Sequence, residues 1–136
     1  MSQVILLAAD HSLPPFVSGE RRVRSVPTPG GTLCVEEDGF SVVPLTYYKT
    51  AVEDLALAVK PCRYELDLQD TPQDLLCLRS YLTAHCLPGE QVELWNLWVG
   101  RETDPVRHFS GAFRDFDLEV LEQLFEAYQT CVSITI

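Results

Sequence analysis

Lysine is nearly missing from this chain: Lys49 and Lys60 are the only two, and all basic residues together number ten against twenty Asp and Glu. The resulting formal net charge of −10 repels a phosphate backbone, which argues against nucleic acid as a partner. Long apolar runs are also lacking. The run Val4 to Ala9 stops far short of the roughly 20 residues that a membrane helix needs, and no basic stretch precedes it as in a signal peptide. The expectation is a cytoplasmic protein with no membrane partner.

Regular cysteine spacing is absent as well. The five cysteines, at 34, 62, 77, 86 and 131, fit neither a disulfide framework nor a paired zinc motif, and are expected to be free thiols, mostly buried. His85 and Cys86 are adjacent, but successive residues on a helix project about 100° apart, so they do not share one ion easily. Cys86 fits an apolar stripe instead, and His85 fits a last helical turn, where the dipole favours a cation. No metal or cofactor is expected. Glycine-rich phosphate loops are missing too, since Gly30-Gly31 opens a hairpin and Pro88-Gly89 leads into a strand. His11 or His108 paired with any thiol would make a nucleophile, but such pairs form in space and leave no spacing to read. No catalytic residue is assigned, and a non-enzyme is preferred.

What is present is a chain of 136 residues, 46% of them hydrophobic, enough for one domain spanning 1–136. "QVILLAA" (3–9) has the uninterrupted aliphatic character of a buried strand. Residues 11–31, with four prolines, three glycines and three arginines, read as one long loop. The dipeptide Asp38-Gly39 predicts the turn of a β-hairpin over 32–46. Thr50 to Glu53 has the form of a capping box, and Val52, Leu55 and Val59 extend a helix to about Lys60, although "LALAV" also suits a strand. Tyr64, Leu66 and Leu68 alternate with polar residues in a strand. Thr71-Pro72 starts a helix with Leu75, Leu78, Leu82 and Cys86 on one side. "VELWNLWV" (92–99) is the next strand, residues 100–114 a loop, and Asp117 caps a helix carrying Leu118, Leu121, Leu124, Phe125 and Tyr128. "CVSITI" closes the chain. The fold expected is α+β: a single mixed sheet with about three helices packed mainly on one face. Its C-terminal β-α-β-α-β is preceded by an N-terminal strand and a hairpin.

The strand "VELWNLWV" is apolar on both faces and is expected at the centre of the sheet. Its Asn96 is either satisfied by nearby backbone or lines a cleft. The cleft reading makes Asn96, Trp98, Arg101, Arg107 and His108 the candidate ligand-binding residues. Arg21, Arg22 and Arg24 either neutralise the chain's own acids or reach a carboxylate elsewhere. Glu65 and Asp67 on one strand, and Glu119, Glu122 and Glu126 off the last helix's apolar stripe, are expected to face solvent and steer a basic partner.

The stretch "YYKTAVEDLALAV" and the C-terminal helix and strand ending "CVSITI" resemble, in scattered residues, the barstar family of small acidic nuclease inhibitors. The glycine that follows the paired tyrosines in that family is lacking here, and the intervening helix and strand do not line up. The function expected is a non-enzymatic protein–protein interaction module, inhibitor- or immunity-like at most, binding a basic protein or forming a homodimer. The alternative is a small ligand-binding protein or enzyme using the cleft near Asn96.

Overall fold

The computed structural model describes residues 2–100 and 105–136. In chain order the elements are β1 (Ser2–Ala9), β2 (Phe16–Val17), β3 (Arg21–Thr28), β4 (Gly31–Asp38), β5 (Ser41–Pro44), α1 (Lys49–Asp54), β6 (Cys62–Asp67), α2 (Pro72–His85), β7 (Gln91–Val99), β8 (Arg107–Ala112), α3 (Leu118–Glu126) and β9 (Thr130–Thr135), with a 3-10 turn over Phe113–Asp115. Among the described residues, seven strands form one mixed sheet in the order β2-β5-β6-β1-β7-β9-β8, and β3 pairs with β4 apart from it. Neighbours run antiparallel except β8 and β9, which are parallel.

β1 and β7 are the middle pair, in register from Ser2↔Val99 to Ala8↔Glu93. Their residues alternate between two apolar layers. Ile5, Leu7, Ala9, Val92 and Leu94 pack with Val132 and Ile134 under α2 and α3. Val4, Leu6, Ala8, Trp95, Leu97 and Val99 pack on the other side under Val52 of α1, Leu55, Leu57 and Val59. Two helices on one face and one short helix on the other is the α+β arrangement that the periodicities predict.

The polar residues of β7 are absorbed by this packing. Asn96 is fully buried: its Nδ2 donates to the carbonyls of Leu124 (2.9 Å) and Ala127 (3.1 Å), and its Oδ1 accepts from Gln3 Nε2 (2.9 Å). It thereby ties β1 to the open C-terminal carbonyls of α3, which have no partner inside the helix. Glu93 accepts from the Trp95 indole (3.2 Å) and from the Lys60 backbone N–H (2.9 Å). Buried Gln129 holds the backbone of Trp98, accepting from its N–H at 3.2 Å.

Four expectations are corrected. Residues 11–31 are not one loop, because β2 and β3 lie within them. The hairpin is β3–β4 rather than 32–46, and its two-residue turn is Pro29-Gly30, between the partners Thr28 and Gly31. Gly39 is needed for another reason: a Cβ there would sit 2.3 Å from the Glu20 carbonyl oxygen, where two chain segments pass closely. Thr50 caps nothing, since α1 begins at Lys49 behind Tyr48 without a side-chain cap and ends at Asp54. Beyond it Leu55, Leu57 and Val59 alternate with exposed Ala56 and Ala58, a period of two that a helix does not satisfy. Finally, the segment after Gly100 holds a strand, β8, which docks parallel to β9. By contrast, Thr71 caps α2 and Asp117 caps α3, accepting from Asp74 N–H (3.2 Å) and Val120 N–H (3.1 Å).

Trp95 is 2% exposed inside the α1-side layer, whereas Trp98 is half-buried and rests on Tyr128 with ring centroids 4.7 Å apart. Trp95→Ala is therefore expected to destabilise the fold by about 3–5 kcal/mol and Trp98→Ala by roughly half of that. Urea unfolding of the two variants checks the ranking, which equal losses would overturn.

Candidate functional site

The described residues of the expected ligand cleft do not converge. Asn96 is buried and fully engaged. His108 lies edge-on to Trp95 at 6.0 Å, on the α1 side of the sheet, while the Arg107 guanidinium turns over Phe109 (5.2 Å) and reaches Glu126 at 3.7 Å. Arg101 lies outside the described residues. A groove of about 280 Å³ lies between β8 and α3, bordered by Phe109, Gly111, Phe116, Val120 and Gln123, and none of the described cleft residues lines it.

The five acids separate into two groups. Glu119, Glu122 and Glu126 are exposed along α3, with Asp70 beside them. Glu65 is half-buried, and burial, seconded by Asp67, pushes its carboxyl above the ordinary range. Asp67 itself is engaged by Arg22 at 2.8 Å.

That arginine organises the first of two constellations. Arg22, near the base of the β3–β4 ribbon, donates from Nε to Asp74 Oδ1 (3.4 Å) and from Nη2 to Asp74 Oδ2, and it reaches the Asp38 carbonyl (2.8 Å) and the Asp67 carbonyl (3.1 Å). Asp74 also accepts from the Gln69 N–H (2.8 Å). Both charged side chains are largely buried, at 12% and 3% exposed. Arg21 and Arg24 make exposed pairs with Glu36, Glu37 and Asp38. All three arginines thus face the chain's own acids. The ribbon is clamped to the first turn of α2 by the one buried ion pair among the described residues.

The second constellation joins residues far apart in sequence. His11, just after β1, Cys86, the C-cap of α2, and Glu90, in the turn before β7, bring their ligand atoms within 4.8 Å of one another. His11 Nε2 contacts Glu90 Oε2, and its Nδ1 faces the Ser12 carbonyl at 3.1 Å. With both ring nitrogens engaged, His11 has none left to take a proton from Cys86. Burial also holds the Cys86 thiol above its ordinary value, so this is not an activated nucleophile. His85 points elsewhere, its ring 4.7 Å from that of Tyr81. No spacing in the sequence signals this cluster, because 79 positions separate His11 from Glu90.

The chain matches no protein-family model, no curated protein and no solved structure. Among the described residues, no helix is long and apolar enough to cross a membrane.

Two predictions follow from these surroundings. Removing Arg22 (Arg22→Ala) leaves Asp74 buried and uncompensated, and is expected to cost about 3–5 kcal/mol. Arg21→Ala and Arg24→Ala, at exposed pairs, are expected to cost under about 1 kcal/mol. Denaturant unfolding of the three variants checks this, and equal effects would dissolve the distinction. Thiol reactivity should also divide by depth. Cys34 is exposed and is expected to react with a thiol reagent at once, whereas buried Cys131, pushed up to about 12 by burial, should stay unreactive at pH 9 until the chain unfolds. In denaturant all five should react without prior reduction.

Proposed function

We propose that this chain is a non-enzymatic protein-binding module that presents the β3–β4 ribbon to a basic protein partner. The observation that carries this reading is that no residue between Leu13 and Phe40 belongs to either apolar core layer. Ordering backbone costs about 1–2 kcal/mol per residue, and a lone two-stranded ribbon is marginal in water. Two eight-residue strands that add nothing to the core, yet are clamped by a buried ion pair, therefore serve something outside the fold.

The ribbon's chemistry fits a protein surface. Val23 is 63% and Leu33 55% exposed, and among the described residues β3 and β4 each keep one edge unpaired, open to strand addition. Arg21, Arg22 and Arg24 on β3 balance Glu36, Glu37 and Asp38 on β4, so the ribbon adds little net charge of its own. The excess acid lies on the body, including Glu119, Glu122 and Glu126, where it steers a basic partner through the on-rate. Free thiols throughout suit the reducing cytoplasm.

The test places a photoreactive residue at position 33 and, as control, at exposed Leu76 on α2. Cross-linking in cells should capture one basic protein from position 33 only. Purified, that protein should bind at least tenfold more weakly to Val23→Asp/Leu33→Asp, with an unchanged melting temperature, because exposed positions tolerate substitution within about 0.5 kcal/mol. Its on-rate should fall when Glu119, Glu122 and Glu126 are neutralised. A second copy of this chain at position 33 would replace the basic partner by a homodimer. Equal capture at both positions, or binding indifferent to the double variant, would overturn the reading.

A further inference from the structure

We propose that His11, Cys86 and Glu90 form a zinc site with three protein ligands and one position open to water. Nitrogen, thiolate sulfur and carboxylate oxygen are the donor types that zinc takes, and soft thiolate selects it over calcium or magnesium. Bonds of about 2.0–2.3 Å around a tetrahedral ion place ligand atoms roughly 3.3–3.8 Å apart. Donor atoms already within 4.8 Å of one another reach that spacing by small side-chain rotations.

The surroundings orient the donors. With Nδ1 donating to the Ser12 carbonyl, Nε2 is the nitrogen that faces the other two ligands, the usual arrangement for a metal-bound imidazole. The Leu87 N–H donates to Glu90 Oε1 at 2.9 Å and fixes that carboxylate. The turn carrying Glu90 is itself held, since Gly89 N–H donates to the Ile136 carbonyl (2.6 Å) and Ile136 N–H to the Glu90 carbonyl (2.8 Å). Cys86 is fixed by its place at the end of α2, where its N–H donates to the Leu82 carbonyl at 2.9 Å. The three ligands thus sit on the end of a strand, the end of a helix and a pinned turn. Exposure is graded across them: Cys86 is buried, Glu90 lies between, and the His11 side chain is 45% exposed, which leaves the fourth position to solvent. The chain's excess of acids further favours a cation.

The experiment uses the full chain, stripped with chelator and titrated with zinc alone by calorimetry and with cobalt(II) by absorbance. One equivalent is expected to bind, and cobalt should show the thiolate-to-metal charge-transfer band and the visible bands of a tetrahedral site. His11→Ala and Glu90→Gln, both at solvent-accessible side chains, should each weaken zinc at least tenfold without lowering the metal-free melting temperature. Cys86→Ala should abolish the charge-transfer band. Calcium should not compete. Absence of saturable binding, a cobalt spectrum without the thiolate band, or zinc affinity unchanged in the His11→Ala/Glu90→Gln double variant would overturn the site.

Discussion

Val4, Leu6 and Ala8 point to one side of β1 and Ile5, Leu7 and Ala9 to the other, and none of the six is more than 7% exposed. A strand of this kind exists only between two layers, and its partner β7 carries the same demand. The rest of the body answers that constraint. α2 and α3 cover one face, α1 and the residues after it cover the other, and β6 and β9 occupy the two flanks. β6 and β7 both run antiparallel to β1, so the β6-α2-β7 crossover spans the inserted strand and seats α2 over the middle of the sheet. Asn96, at the centre of this arrangement, joins the sheet to a helix that covers it: its carbonyl holds Gln3 on β1 and its amide holds the end of α3. A buried carboxamide with every group engaged fixes where α3 stops relative to β7, which apolar contacts alone leave free to slide.

Segments with one face buried were legible in the sequence, because burial writes a period into the residues. α2, α3, β6, β7 and β9 all carry such a period, and the caps Thr71 and Asp117 sit where side-chain oxygens meet open helix N–H groups. The segments misread are those whose burial pattern is weak or absent. β3 has no buried apolar residue, so nothing in "RRVRSVPT" alternates for a core, and its proline and arginines suggest a loop. β8 is an edge strand with only part of one face covered, and its glycine and exposed His108 and Ser110 hide it in the same way. The residues after α1 show the reverse case: "LALAV" fits either period, and the chain makes neither element there, turning at Leu55 and Ala56 while Leu55, Leu57 and Val59 pack into the α1-side layer.

The two side-chain constellations were less legible than the fold because both are long-range. Arg22 meets Asp74 across 52 positions and His11 meets Glu90 across 79, and no local spacing encodes either. His85, the neighbour of Cys86 in sequence, lies against Tyr81, and the histidine that meets Cys86 comes from the other end of the chain. The exposed acids of α3 were found because they lie opposite an apolar stripe. Asp67 shares a similar sequence signal and yet is taken by Arg22, since a strand's polar face is also where a neighbouring ribbon docks.

The two constellations are linked by one helix and separated by it. Asp74 lies in the first turn of α2 and Cys86 caps its end, so twelve residues at 1.5 Å each put them about 18 Å apart. Groups at that distance with no shared partners act additively. The ribbon clamp and the proposed metal site are therefore independent devices, and each leaves the other intact when lost. The clamp is the more consequential for shape. A buried ion pair adds little net stability compared with apolar packing, but its bidentate geometry holds only in one relative orientation of its two carriers. Arg22 thus supplies the ribbon with what its missing core contacts do not: a single direction in which to project from the body, with Val23 and Leu33 presented to solvent.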